Sequence, residues 1–142
     1  MQESELLVAP TLSEVAQATQ QVRALLPDWL SESERDAIEL ALAEALTNIV
    51  QHGFGRAGGQ PVRLRLRERG GALEVDVWDQ GRPIPKDLLS QADPSTTFLF
   101  DPTNLAGLPE GGMGLALIKA AFHEVRYGSR DGVNRLHLVR RM

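Results

Sequence analysis

The chain has 142 residues, 42% hydrophobic and 24% charged, with no cysteine and a formal net charge of −4. At that length roughly two thirds of the unfolded surface can be buried, so one core forms without disulfides, and the composition excludes wholesale disorder and a thiolate zinc site. The acidic balance argues against direct nucleic-acid binding, although among the 15 basic residues only Lys86 and Lys119 are not arginine.

Residues 1–10, MQESELLVAP, lack a basic stretch ahead of an apolar core, and no apolar run approaches the ~18 residues that span a bilayer. The expectation is a soluble cytoplasmic protein with no membrane partner. Residues 5–9 are a short apolar run stopped by Pro10, which predicts an edge strand. Thr11 then caps a helix reaching about Leu26. Along it Leu12, Val15, Ala16, Thr19, Val22 and Leu26 form a narrow apolar stripe suited to packing on a sheet. Pro27 and Asp28 end that helix. Ser31 and Glu34 have capping-box spacing at the start of a second helix, which Gly53 can close as a left-handed cap.

Within this central helix, residues 39–53 read ELALAEALTNIVQHG. Glu44, Asn48 and His52 recur every fourth position in an otherwise apolar run, so an acid, an amide and an imidazole share one face. Polar residues at that spacing are also the ordinary wet side of an amphipathic helix, so the row gains meaning only from what lies downstream.

From Pro61 onward the period changes to two. Val62, Leu64 and Leu66 alternate with arginines, and after Gly70 and Gly71 the residues Leu73, Val75 and Val77 alternate with Glu74, Asp76 and Trp78. This predicts a hairpin with one apolar and one charged face. Its four arginines from position 63 to 69 are read as cross-strand ion pairs rather than as a phosphate patch. A second hairpin is expected over residues 124–140, turning at 129–132, with Leu136 and Leu138 inward. Between the hairpins, residues 82–111 hold prolines at 83, 85, 94, 102 and 109 and no sustained period. A connection this long in a compact domain is a candidate lid, with Phe98, Leu99 and Phe100 needing burial on the closed site, a dimer contact, a partner or their own domain.

Two further stretches carry chemistry. WDQGRP, residues 78–83, ends a predicted strand in Asp79, able to accept a hydrogen bond from an exocyclic amine. Gly81 beside it permits close approach of a flat ring, and Pro83 stiffens the exit. EGGMGLALIK, residues 110–119, sets Gly112 and Gly114 at a predicted helix start, where backbone amides can face an anion. Neither the GxxxxGK[ST] of P-loop proteins nor the GxGxxG spacing of dinucleotide folds is present.

The Asn/Glu helix, the Asp-x-Gly strand end and the Gly-x-Gly helix start, in that order, together resemble the nucleotide-binding fold of the gyrase, histidine kinase and MutL ATPases. Within it the chain is similar to the small anti-sigma-factor serine/threonine kinases, over about residues 11–140. The resemblance implies a single domain, residues 1–142, built as a two-layer α/β sandwich. In it a mixed, mostly antiparallel sheet carries three helices on one face, and ATP lies between the helices and the lid. It implies Asn48 as the Mg2+ ligand and Glu44 as the base that takes a proton from an attacking hydroxyl. His52 lies near the phosphates, Asp79 reads adenine with Gly81 and Pro83 beside it, and Gly112, Met113, Gly114 and Leu115 meet the phosphates. It further implies a sigma factor and an anti-sigma-factor antagonist with an acceptor serine as partners, and a homodimer. Two alternatives stand beside this reading: a nucleotide-dependent binding module without phosphotransfer, and a switch kinase acting on a different regulator. The chain departs from the pattern twice. Many relatives have Thr or Ser in the last hairpin, touching the base through water, where this one reads GVNRLHL with Asn134. Many have Arg where it has Met113.

Overall fold

The computed structural model describes residues 2–50, 60–81 and 112–142, with residues 112–116 described by their backbone alone. In chain order the elements are β1 (Gln2–Val8), α1 (Leu12–Leu25), α2 (Glu32–Asn48), β2 (Val62–Arg69), β3 (Ala72–Asp79), α3 (Gly112–Ala121), β4 (Glu124–Arg130) and β5 (Val133–Arg141). The strands form one sheet in the order β1-β2-β3-β5-β4, and all four neighbouring pairs are antiparallel. The three expected helices are present, and the sheet, expected to be mixed and mostly antiparallel, is antiparallel throughout the described residues.

Two tight turns set the register. Gly70 and Gly71 have φ of 60° and 73°, and Asp131 and Gly132 have 54° and 79°. Positive φ at both central residues lets a two-residue turn follow the natural twist of its strands, which is why glycine and aspartate stand there. Fixed this way, the first hairpin puts Val62, Leu64, Leu66, Leu73, Val75 and Val77 on one face, all buried. Leu136 and Leu138 continue that face on β5. The helices cover it with Val15, Ala18 and Val22 from α1, Ile38, Ala41, Leu42, Ala45 and Leu46 from α2, and Ile118 and Ala121 from α3. Each of the larger side chains contributes about 1.5–3 kcal/mol by leaving water, so this layer is the main source of stability.

The helix starts behave as their sequences dictate. The Thr11 hydroxyl accepts the Glu14 amide, and Ser31 and Glu34 form the reciprocal capping box. The α1 stripe differs from the expectation at three positions. Ala18 is buried and Ala16 is exposed, and Leu12 is 54% exposed. The buried set Val15, Ala18, Thr19 and Val22 follows steps of three and four, whereas Ala16 lies about 100° around the helix from Val15. The edge strand is also longer than its apolar run, because β1 pairs with β2 from Gln2 onward.

The opposite face of the sheet is a lattice of charge. Arg65 and Asp76 meet at 2.9 Å, Arg67 and Arg69 both reach Glu74, and Arg63 pairs with Glu5. Arg63, Arg65 and Arg135 stack on Trp78. The arginines of the first hairpin are thus engaged in ion pairs, as read from the sequence, and Arg63 and Arg65 add ring contacts that the sequence reading did not include. The Gly53 cap and residues 82–111, including Phe98 to Phe100, lie outside the described residues.

Candidate functional site

The direction of the helices decides which residues share an end of the sheet. Arg140, paired in register with Leu73 at the start of β3, donates to Glu34 at the start of α2 and to the Ala121 carbonyl at the end of α3. One guanidinium therefore marks where α2 begins and α3 finishes. Alpha-helices rise about 1.5 Å per residue and strands about 3.3 Å, so α2 and the eight-residue β3 have similar lengths. The Asn48 end of α2 and the Gly112 end of α3 are the ends away from Arg140, as Asp79 is the end of β3 away from Leu73.

Asp79 is buried there with 6% exposure. Its Oδ1 accepts the Gly81 amide at 2.9 Å and the Asn134 side-chain amide at 2.9 Å. Burial pushes the carboxyl above its ordinary range, and the two donors act against that push. Among the described residues no donor reaches Oδ2, which leaves an acceptor that can receive an amine. Asn134, directly opposite on β5 and only 1% exposed, also donates to the Gly81 carbonyl at 2.9 Å and accepts the Ser129 hydroxyl at 2.7 Å.

Glu44 and Asn48 stand one turn apart on α2, both half-buried, beside the fully covered Ala41, Ala45 and Leu46. Neither is engaged by a hydrogen bond among the described residues. The helical backbone then passes through Ile49 and Val50 as a wider π-type turn, a feature frequent at functional sites. The helix expected at residues 112–119 is present as α3, with Gly112, Met113, Gly114 and Leu115 as its first turn, packed beside α2. His52 and Pro83 lie outside the described residues. Asp79, Gly81 and Asn134 thus meet directly, whereas Glu44, Asn48 and the α3 start are associated with them by the common direction of their elements.

A hollow of about 310 Å³ also reaches Asp79, but its lining of Leu7, Arg63, Trp78 and Val133 belongs to the charged side of the sheet, and among the described residues neither Glu44, Asn48, Gly81 nor Asn134 lines it. Among the described residues no group of three or more His, Cys, Asp and Glu converges to hold a metal ion. Of the row Glu44, Asn48 and His52, Asn48 is the one with a neutral side-chain oxygen of the kind a hard cation takes. No helix among the described residues is long and apolar enough to cross a membrane.

Ser129 and Arg140 were not singled out as functional in the sequence. Ser129 was reachable by counting, since a two-residue turn at 131–132 pairs position 129 with 134. Arg140 carries no local signal, because both its partners are distant in sequence.

The family model described as the histidine kinase-like ATPase domain matches residues 8–140. The chain is 31% identical over 96 residues to the serine-protein kinase RsbW of Halalkalibacterium halodurans, a match covering 68% of this chain and 56% of that relative. It is 32% identical over 115 residues to the serine/threonine-protein kinase BtrW of Bordetella bronchiseptica, covering 80% of this chain and 75% of the relative. The chain spans little more than half the length of the RsbW relative. Among solved structures, the RsbU and RsbW domains of a Mycobacterium tuberculosis protein superpose with a TM-score of 0.68 at 18% identity, covering 99% of this chain and 32% of that one, a likeness of fold.

Proposed function

The chain belongs to the histidine kinase-like ATPase domain family, and on that premise we propose that it is an ATP-dependent serine kinase and partner switch. In this reading it sequesters a sigma factor and phosphorylates a serine of an anti-sigma-factor antagonist. The observation that carries the reading is the common end of α2 and β3. The half-buried Glu44–Asn48 row, the first turn of α3 and the buried Asp79 carboxylate each lie at the end of their element away from Arg140. A nucleotide held by its base at Asp79 and by its phosphates at α3 would lie along the row.

In this assignment Asn48 gives one oxygen to magnesium, which would neutralise phosphate charge when bound. Glu44 accepts the serine proton as the serine oxygen bonds to the γ-phosphorus and the bond to the bridging oxygen breaks, leaving ADP. Little else is asked of the protein, since phosphoryl transfer depends mainly on positioning and electrostatics. The base site favours adenine because Asp79 offers an acceptor toward an exocyclic amine. Similarity to proteins named as serine and serine/threonine kinases supports the choice of acceptor.

The test is incubation of the purified chain with γ-labelled ATP and magnesium, alone and with candidate antagonists bearing an acceptor serine. Label on the antagonist serine is the expected result. ATP-dependent retention of a partner with no label transferred would replace the kinase with a binding module, and label released only as inorganic phosphate would make it an ATPase.

A further inference from the structure

The Asn134 amide spends both its protons inside the protein, one on Asp79 Oδ1 and one on the Gly81 carbonyl, each at 2.9 Å. Its oxygen takes the Ser129 hydroxyl at 2.7 Å. A flipped amide would set oxygen against a carboxylate and a carbonyl, so only one orientation satisfies all four groups. No donor remains on Asn134 to reach a base, directly or through water.

We infer that Asn134, held in orientation by Ser129, is the positioning residue that aims Asp79 at the base, so that purine selectivity is set by a side chain which itself touches no ligand. The inference rests on the nucleotide reading proposed above. Its geometric basis is that Asn134 gathers the carboxylate and the Gly81 backbone into one rigid group at the end of β3. Both donors reaching Asp79 land on Oδ1. The carboxylate is thereby fixed about its own torsion, and Oδ2 is presented as the acceptor. Donors on Oδ1 also oppose the effect of burial, which favours the protonated and non-selective form. Ser129 is exposed on β4, at the turn end of the hairpin, and is the outer end of this chain of bonds.

The experiment measures affinity of the full chain, with magnesium, for ATP and for the triphosphate of unsubstituted purine riboside, which lacks the amine. The parent should prefer ATP. Asn134→Ala should narrow that preference about 10-fold or more, the size expected for losing a hydrogen bond to a charged group. Ser129→Ala should narrow it less, and Ser129→Thr, which keeps the hydroxyl, should restore it. Equal weakening for both nucleotides in Asn134→Ala would mean a structural role only and would overturn the inference. Should Asn134→Ala not fold, the exposed Ser129→Ala decides, and an undiminished preference there overturns it as well. A parent that binds neither nucleotide defeats the nucleotide reading itself. A parent that prefers ATP while both variants keep the full preference defeats the positioning role alone.

Discussion

Arg140 and Glu34, 106 residues apart in the chain, meet at 2.6 Å, and the same carboxylate accepts the Ser31 amide at 3.1 Å to complete the α2 capping box. Glu34 therefore belongs to the helix start and to the joint between helix and sheet at once. The Ser31 backbone donor first, and Arg140 second, hold its carboxyl down from 4.5 to about 2. A carboxyl lowered on folding stabilises the protein fully above its ordinary pKa, and the contribution is lost as pH falls from about 4.5 toward 2. Urea unfolding across that range should show a shallower acid loss for Glu34→Gln than for the parent. Arg140→Gln should flatten it less, since the Ser31 donors remain. An acid limb of unchanged slope in Glu34→Gln would remove Glu34 from the account.

Asp76 faces the charged side of the sheet yet is fully buried, because Arg65, Arg135 and His137 close over it at 2.7–2.9 Å. Burial alone would raise its pKa, but bonds from His137, Arg65 and Arg135 outweigh it and hold the carboxyl below the ordinary value. Replacing one member of a buried ionic group strands the others, which costs about 3–5 kcal/mol. Asp76→Ala should lower stability on that scale in denaturant unfolding. Glu5→Gln, which breaks the half-exposed pair with Arg63, should stay within about 1 kcal/mol. Similar losses for the two variants would mean that the sheet face is not graded by burial.

Most of the layer that positions the site was legible in the sequence, because it is written in local periods. Alternation from Val62 to Val77 assigns an inner and an outer face, and two turns with glycine fix the register inside each hairpin, whereas the pairing that sets Asp79 opposite Asn134 joins the two hairpins and has no local trace. The Ser31–Glu34 spacing marked the start of α2. What escaped depends on which elements meet. The exchange of Ala16 for Ala18 on α1 follows from where the sheet lies against the helix, which the stripe alone does not specify. The Arg140 clamp joins three elements and leaves no periodic trace. Asn134 read as a departure from a family pattern, and its role emerged only when Ser129 and Gly81 stood beside it.

Asp79→Asn keeps the size of the side chain but turns an acceptor into an amide facing the Asn134 donor. In the proposed base site it also offers a donor toward the adenine amine, so ATP binding should weaken by about 1–3 kcal/mol, the scale of an unsatisfied buried polar group. Titration calorimetry measures this directly. Unchanged ATP affinity in the variant, or equal affinity of the parent for GTP, would sink the adenine assignment.

The last prediction separates chemistry from binding on one helix face. Glu44 and Asn48 lie one turn apart on α2, both half-buried and neither engaged among the described residues, yet their proposed tasks differ in kind. Glu44→Gln retains shape and hydrogen-bonding capacity, so nucleotide and partner binding should persist. Without a group to accept the serine proton, transfer should fall by about 10²–10⁴-fold, the usual contribution of a positioned base. Asn48→Ala removes the oxygen proposed to hold magnesium, so it should lose magnesium-dependent nucleotide binding and, with it, both transfer and any ATP-dependent hold on a partner. A phosphotransfer time course paired with a binding assay on each variant distinguishes these failures, because a base mutant lowers the rate at saturating ATP whereas a binding mutant is limited by occupancy. Transfer at the parent's rate by Glu44→Gln would leave the reaction standing and remove Glu44 as its base. Loss of binding in both variants alike would instead mean that the row acts as one structural unit, with no division of labour between its acid and its amide.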